Sequence, residues 1–137
     1  MTPRDFLASL EFHGIKLGLD NIRLLMDAAG NPQRSYPTLH VAGTNGKGSV
    51  VAFAASILRA AGYKVGRFTS PHLLDVSERF LIDGDPIPDA DLDSQIEFFR
   101  SAAQSFPNPP TYFELCTAIA LRYFAEQEVD IAVIEVG

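Results

Sequence analysis

One stretch of the sequence decides the fold: Thr38-Leu39-His40-Val41-Ala42-Gly43-Thr44-Asn45-Gly46-Lys47-Gly48-Ser49. Its first five residues form a short apolar run, which is typical of a buried strand. A helix is predicted from about Lys47 to Ala61, where Gly62 stops it, and residues 64–68 predict the next strand. Strand, glycine-rich loop, helix and strand follow one another within about 30 residues, which predicts a βαβ unit and a parallel sheet.

The pattern of the remaining residues extends this unit on both sides. A hairpin is predicted from Val76 to about Ile87, with its turn at residues 83–86, because polar and apolar residues alternate before the turn. Helices are predicted at residues 3–10, 20–29, 89–104 and 111–126, and an apolar strand at 130–136. Two apolar stripes, Ala54-Ile57-Leu58 and Ala118-Leu121-Phe124, are interpreted as core-facing helix surface. Alternating strands and helices predict an α/β fold, a doubly wound, mostly parallel sheet of three or four strands.

The composition limits the class of protein. The 137 residues are 47% hydrophobic and 20% charged, which is typical of about one globular domain. The formal net charge of -6 argues against nucleic acid, whose binding requires a basic face. No apolar run approaches the roughly 18 residues of a membrane span, the first residues lack a signal peptide, and the single Cys116 cannot form an intrachain disulfide. We therefore expect a cytoplasmic protein with neither a nucleic-acid nor a membrane partner.

The glycine-rich segment Gly43–Ser49 has the chemistry of a phosphate site. Its glycines allow successive backbone N–H groups to point at one anion, the helix N-terminus adds partial positive charge, and Lys47 adds a full charge. The segment departs from the common G-x-x-x-x-G-K-[ST] loop, because Val41 replaces the first glycine and Gly48 separates Lys47 from Ser49. The alternative is a strand-to-helix turn without a ligand, but a lysine and a serine in that turn favour phosphate.

Several segments resemble the folylpolyglutamate synthase and dihydrofolate synthase family, which belongs to the Mur ligase superfamily. The run from His40 to Val50 closely resembles the ATP loop of that family. The other matching segments, in chain order, are Leu17-Gly18-Leu19, Thr69-Ser70-Pro71-His72-Leu73 with Glu78-Arg79-Phe80, Thr111-Tyr112-Phe113-Glu114 and Ile134-Glu135-Val136-Gly137. The resemblance extends over essentially the whole chain and implies a Mur-ligase-like ATP-binding fold.

The resemblance also implies an activity. Members of the family phosphorylate a substrate carboxylate with ATP, and the amine of L-glutamate then attacks the acyl phosphate to form an amide. The implied substrates are dihydropteroate or folate, L-glutamate and ATP, and the implied cofactors are ATP and Mg²⁺. Lys47 becomes the catalytic contact to the β- and γ-phosphates, and the implied ATP-binding residues are Gly43, Thr44, Asn45, Gly46, Lys47, Gly48 and Ser49.

The resemblance places Mg²⁺ on Ser70 and Glu135, an all-oxygen pair suited to a hard cation. Glu135 attracts notice independently, because a carboxylate at the C-terminal end of an apolar strand is where ligand groups lie in such sheets. The alternative for Glu135 is a solvated residue at the end of a strand.

A pterin substrate is the further implication. By resemblance, it contacts Lys16, Leu17, Gly18, Thr111, Tyr112, Phe113 and Glu114. The aromatic pair in the last four residues suits a flat heterocycle. His72, next to Pro71 in its loop, is a further candidate substrate contact. The alternative for Thr111 and Glu114 is a capping box, which only starts the helix. The alternative for His72 is an ordinary loop residue.

Full-length members of the family continue with further nucleotide contacts and a second domain that receives glutamate. We therefore expect residues 1–137 to be a partial N-terminal ATP-binding domain, without the C-terminal glutamate-binding domain and inactive in ligation by itself. Two other functions stay open: a Mur-type ligase domain that adds amino acids to cell-wall precursors, and a noncatalytic nucleotide-binding fragment. The sequence chooses neither between the two folate activities nor among oligomeric states.

Overall fold

The computed structural model describes residues 1–13, 18–42, 46–69 and 75–136. The chain divides into two compact units, each built from two chain segments. The helical unit comprises Met1–Gln33 and Asp89–Tyr123, and the sheet unit comprises Arg34–Pro88 and Phe124–Gly137. The glycine-rich segment and the acidic strand end predicted from the sequence both belong to the sheet unit.

The sheet unit contains a five-stranded mixed sheet in the order β1-β5-β2-β3-β4. Its strands are β1 (Thr38–Ala42), β2 (Val65–Phe68), β3 (Phe80–Ile82), β4 (Asp85–Pro86) and β5 (Ile131–Val136). Both β1 and β2 run parallel to β5, whereas β3 and β4 continue antiparallel. The predicted βαβ unit is confirmed, and β5 lies between its two strands. The expected burial of β1 is wrong, because β1 is at the edge of this sheet and four of its five residues are exposed. The sheet has five strands rather than three or four, because the short β4 also pairs.

Helix α3 (Lys47–Ala60) connects β1 to β2 and packs on one face of the sheet. Its side chains Val51 and Ala55 form a core cluster with Val65 and Val133 of the sheet. The helix ends where the sequence predicts, since Gly62 has a φ of 96°, a conformation that costs a glycine little.

The predicted core-facing stripe of α3 is partly wrong. Ala54 and Leu58 do pack against the core cluster, but Ile57 is 68% exposed. Two residues after the buried Ala55, Ile57 lies on nearly the opposite side of a helix with 3.6 residues per turn. The exposed Phe53 shares that outer side, one turn earlier.

The other face of the sheet receives Phe124, from the end of α5 (Tyr112–Glu126). Phe124 is fully buried, as its stripe predicts. A Cβ at Gly66 would lie 2.8 Å from two ring carbons of Phe124. Gly66 is therefore required for close approach between strand and ring, and no flexible side-chain end is available to move aside.

The hairpin between β3 and β4 turns on two residues with positive φ, Asp83 at 49° and Gly84 at 86°. This combination is the type I′ turn, whose twist matches that of the flanking strands. The turn pairs Ile82 with Asp85. The Asp83 carboxylate also accepts a hydrogen bond from the Val65 N–H at 2.9 Å, which ties the turn to β2.

The first part of the predicted hairpin is not a strand. Val76–Arg79 forms a 3₁₀ helix, and β3 begins only at Phe80. Asp75 caps this short helix, because its carboxylate accepts the Ser77 N–H at 2.9 Å and the Glu78 side chain accepts the Asp75 N–H at 3.4 Å. These local hydrogen bonds stabilise a turn of helix where alternation predicted extended chain.

The helical unit contains α1 (Pro3–Ser9), α2 (Asp20–Ala28), α4 (Asp89–Ala103) and α5 up to Tyr123. Both α1 and α2 contact α4. The predicted cap of α1 is confirmed, since the Thr2 hydroxyl accepts the Asp5 N–H at 3.0 Å. In the described part of the chain, no helix combines the length and the apolar character needed to span a bilayer. The fully buried side chains of this unit include Leu7, Leu25, Leu92, Ile96, Phe99, Leu115 and Ile119.

The Gly66 contact yields a stability prediction. Gly66→Ala places a methyl group against the Phe124 ring, so we expect the free energy of unfolding to fall by about 1–3 kcal/mol, the usual cost of overpacking. Denaturant unfolding measures the change. Combined with Phe124→Leu, the substitution should cost less than the sum of the two single changes, because the smaller side chain removes the clash. Strict additivity would contradict this explanation.

Candidate functional site

The glycine-rich segment connects the end of β1 to the start of α3, as predicted. The strand ends at Ala42 and the helix begins at Lys47. Gly43, Thr44 and Asn45 lie outside the described residues. Gly46, which precedes the helix, has φ 77° and ψ 2°, a left-handed conformation that favours glycine over any residue with a side chain.

The first turn of α3 presents amide donors and no acidic side chain. The helical hydrogen-bond ladder begins with the Val50 N–H, which donates to the Gly46 carbonyl at 3.1 Å. The amide N–H groups of Gly48 and Ser49 therefore have no acceptor within the helix. Both residues are exposed, and no acidic residue occupies this turn. Such a helix end attracts an anion, and the first residue of the helix, Lys47, adds a positive charge.

Gly48 is not explained by the packing of the protein. Its φ is not in the left-handed region, and among the described residues no atom lies within 4 Å of the position of a Cβ. A glycine inside a helix costs about 1 kcal/mol relative to alanine. Glycine at position 48 therefore lowers the stability of the helix, and no contact with the described residues explains why a glycine is needed there.

Glu135 lies beside the strand that leads into the loop. In the parallel pair of β1 and β5, Glu135 is the register partner of Val41, two residues before Gly43. The residue is buried, with 7% of its surface exposed. The structure thus brings the predicted acidic residue to the carboxyl end of the sheet, next to the segment that carries Lys47.

The predicted magnesium ligand Ser70 and the predicted substrate contact His72 lie outside the described residues. The chain on either side of them is described. The Thr69 N–H donates to the Arg79 carbonyl at 3.1 Å, and Asp75 caps the 3₁₀ helix that follows. β2 ends at Phe68, level with Ile134 of β5, so its carboxyl end faces the same edge as that of β5.

Within the described ranges, no group of three or more His, Cys, Asp or Glu side chains is arranged to hold a metal ion. Mg²⁺ is usually held by one or two carboxylates while phosphate and water supply its other ligands. The buried carboxylate of Glu135 fits such a cation, because it lies where the loop begins.

The segment Thr111–Glu114 belongs to the helical unit and forms a capping box at the start of α5. The Glu114 N–H donates to the Thr111 hydroxyl at 3.1 Å, and the Glu114 carboxylate accepts the Thr111 N–H at 2.8 Å. The capping role of these two residues is therefore confirmed. Tyr112 is buried, whereas Phe113 is 48% exposed. Phe113 is the member of the segment whose ring is open to a ligand.

Asn21 is a residue of this region that the sequence did not identify. Its side chain is buried, with 2% exposure. The side-chain amide donates to the Pro109 carbonyl at 3.1 Å and to the Glu114 carboxylate at 3.4 Å. These contacts attach α2 to the start of α5. An asparagine early in a helix carries no sequence signal for such a contact.

The predicted substrate residues near the chain start are only partly described. Lys16 and Leu17 lie outside the described residues. Gly18 is exposed and has a φ of 102°. Gly18 lies two residues before α2 begins, and Asn21 is the second residue of that helix, so both lie near its start.

The fold and the loop define the chain as an α/β protein with a candidate phosphate-binding turn between parallel strands. No family model matches the chain. It is 41% identical to the dihydrofolate synthase/folylpolyglutamate synthase of Bacillus subtilis over 90% of this chain and 30% of the relative. Folylpolyglutamate synthetase from Lactobacillus casei superposes with a TM-score of 0.90 at 40% identity, covering 100% of this chain and 36% of that structure. Escherichia coli FolC, solved with DHPP and ADP, superposes at 0.90 with 35% identity, covering 100% and 33%.

The chain belongs to the folylpolyglutamate synthase and dihydrofolate synthase family. It spans about 30% of the length of the curated relatives it matches.

Gly48 provides a test of the phosphate loop. We expect Gly48→Ala to leave the free energy of unfolding unchanged or to raise it by up to about 1 kcal/mol, because alanine favours the helix and the methyl group meets open space. Nucleotide affinity should fall in the same variant, since the methyl group occupies the approach to the amide donors. Denaturant unfolding and calorimetric titration measure the two quantities. Lower stability with unchanged affinity would show that the glycine serves the fold.

Proposed function

We propose that this chain is the ATP- and pterin-binding N-terminal part of a ligase that joins L-glutamate to dihydropteroate or folate. The observation that carries the proposal is the turn from β1 into α3, with Lys47 at the helix start and the buried Glu135 on the neighbouring strand. Relatives named for both activities match the chain. One related protein was solved with AMPPCP and folate.

The reaction has two steps. A carboxylate oxygen of the pterin substrate attacks the γ-phosphorus of ATP, the bond to the bridging oxygen breaks, and ADP leaves. The glutamate amine then attacks the carbonyl carbon of the acyl phosphate. Phosphate leaves with the C–O electron pair, and the nitrogen loses a proton as the amide forms. Both steps gather negative charge on phosphoryl oxygens, so fixed donors and cations lower the barrier.

The loop supplies these groups. The amide donors of Gly48 and Ser49 and the ammonium group of Lys47 hold the β- and γ-phosphates in the proposed complex. Gly43, Thr44, Asn45 and Gly46 are the further proposed ATP-binding residues. Because the donors belong to the backbone and to a helix end, their orientation is set before the nucleotide binds.

Mg²⁺, when bound, neutralises charge on the phosphates. Glu135 is the proposed protein ligand for it, with Ser70 as the second. The support is the burial of Glu135 and its register with Val41, since a carboxylate kept from water beside an anion site is favourable when a cation lies between them.

The pterin is proposed to bind the helical unit around Phe113. An exposed aromatic ring beside a capped helix start offers a flat surface for stacking. Hydrogen bonds between Thr111 and Glu114 fix the backbone that carries it, and the neighbouring Tyr112 is buried. Lys16, Leu17, Gly18 and His72 are the further proposed contacts.

A folate substrate is favoured over a cell-wall precursor, because the matching relatives are named as dihydrofolate or folylpolyglutamate synthases. The cytoplasmic location expected from the sequence stays a prediction.

Paired substitutions separate the two charged groups of the nucleotide site. Lys47→Ala should weaken ATP binding about ten- to hundredfold with or without Mg²⁺, because a charge-assisted contact to phosphate is lost. Glu135→Gln should weaken binding only when Mg²⁺ is present. Without Mg²⁺ it should bind ATP as well as or better than the natural chain, since a negative charge near the phosphates is removed. Isothermal titration of each variant with ATP, with and without Mg²⁺, measures both effects.

Lys64→Ala is the matched control for Lys47→Ala. Lys64 lies between the end of α3 and the start of β2, at the other end of the helix from the glycine-rich segment. Its ammonium group donates to the Gln127 carbonyl. Its loss should leave ATP affinity unchanged. Equal weakening by both lysine substitutions, or an Mg²⁺-independent effect of Glu135→Gln, would overturn the assignment.

Phe113 tests the pterin substrate. We expect Phe113→Ala to weaken dihydropteroate binding about two- to tenfold, the loss of one aromatic stacking contact. The free energy of unfolding should change little, because the Phe113 ring is already half exposed. Fluorescence titration with dihydropteroate in the presence of ATP measures the affinity. Phe53→Ala, which removes another exposed phenylalanine, is the control. Binding of a muramyl precursor in preference to dihydropteroate would favour the cell-wall ligase.

A further inference from the structure

A polar cavity lies in the sheet unit, between α3, β2 and the turn that joins β3 to β4. Its volume is about 190 Å³. Its described lining includes two guanidinium groups, Arg59 and Arg67, and the hydroxyl of Ser56, but no carboxylate. The rest of the lining is small or apolar. The cavity therefore presents hydrogen-bond donors of one charge sign.

The Arg67 side chain lies on the face of β2 that packs against α3, because side chains alternate between the two faces of a strand. It lies two residues after Val65, a member of the core cluster with Ala55, and so projects on the same face of the strand. Its Nε atom is buried and has no hydrogen-bond partner among the residues that the structure describes. Buried guanidinium donors are normally satisfied, because an unmade bond at a charged group is costly. Within the described residues this donor has no acceptor, and an anion that enters the cavity can supply one.

Arg59 is positioned at the same cavity by the hairpin turn. A Cβ at Gly84 would lie 2.8 Å from the Arg59 Nη1 atom, so glycine lets the guanidinium lie over the turn. The acidic neighbour Asp83 lies 3.9 Å from Arg59 Nε, and its carboxylate oxygen already accepts the Val65 N–H. Asp83 lines a larger adjoining cavity of about 650 Å³, which Ser56 and Arg59 also border.

The charge and the position of the cavity set it apart. The whole chain carries a formal net charge of -6, yet these two arginines face one small space. Arg59 follows Ser49 by ten residues, which is about 15 Å along a helix that rises 1.5 Å per residue. Arg59 is therefore at the opposite end of α3 from the proposed phosphate loop, and the lining of the cavity extends back along the helix to Ala52. A volume equal to about six waters accommodates a phosphate or carboxylate group with its remaining hydration.

We propose that this cavity is a second anion site, which binds a small oxyanion through the guanidinium groups of Arg67 and Arg59. The ligand class is a metabolite with a phosphate or carboxylate group. The site does not depend on the proposed ligase function, because it uses none of the residues assigned to the nucleotide or the pterin.

The Arg67 side chain reports on binding directly. Inorganic phosphate is titrated into the ¹⁵N-labelled chain at constant ionic strength, with sodium chloride as the balancing salt, so that general screening is held fixed. We expect the Nε–H resonance of Arg67 to shift and saturate in the low millimolar range. A parallel titration with succinate tests the carboxylate source. Saturation with either anion supports the site, and their relative affinities identify the preferred group.

Variants separate this site from the phosphate loop. Arg67→Gln should weaken the binding measured at the Arg59 and Gly84 resonances about tenfold or more, the loss of a charge-assisted contact. Changes at Gly48 and Ser49 should persist in that variant and disappear in Lys47→Ala. Arg34→Gln, an exposed arginine outside the cavity, is the matched control. If Arg67→Gln does not fold, Arg59→Gln replaces it, and the unmodified chain still reports through Nε. No saturable Arg67 shift with either anion would overturn the proposal.

Discussion

Parallel pairing between β1 and β5 is the constraint on which the candidate nucleotide site depends. Backbone hydrogen bonds fix the register, so Val41 and Glu135 are opposite one another although most of the chain separates them. A slip by one residue would turn every side chain of a strand to the other face of the sheet. The position of the buried carboxylate beside the glycine-rich segment is thus a property of the ladder rather than of the loop.

The core cluster between α3 and the sheet supports this register. Val51 and Ala55 pack on Val65 and Val133, which come from β2 and β5. The helix is consequently held over both strands, and its N-terminus is aimed at the carboxyl edge, where the amide donors and the acidic strand end meet. On the other face, Gly66 allows the Phe124 ring to approach the strand. The core residues therefore act on the site through backbone position, without touching a ligand themselves.

Much of this arrangement is predictable from local signals. The strand before the glycines, the stop of α3 at Gly62 and the box formed by Thr111 and Glu114 follow from turn and cap chemistry, which acts within a few residues. Val76–Arg79 was mispredicted because the alternating pattern competes with the local hydrogen bonds of Asp75, and the bonds prevail. The exposure of Ile57 was missed because an apolar residue signals burial whichever way its helix face points.

Contacts between distant segments could not be derived in this way. Asn21 contacts the Thr111 segment only when α2 and α5 come together, and the Arg67 Nε atom is buried only when α3 packs on β2. Neither residue belongs to a spacing pattern.

Net charge is an equally poor guide to the two anion sites proposed for this chain. An overall charge of -6 gives a weak, screened field at the surface, whereas a local donor set acts on an anion over a few ångströms. At the loop, the donors are backbone N–H groups and one ammonium. In the cavity, they are guanidinium groups held by a glycine turn and a strand. In both proposed sites the absence of a side chain on glycine leaves space: no described atom lies within 4 Å of a Cβ at Gly48, and Gly84 leaves room for the Arg59 guanidinium.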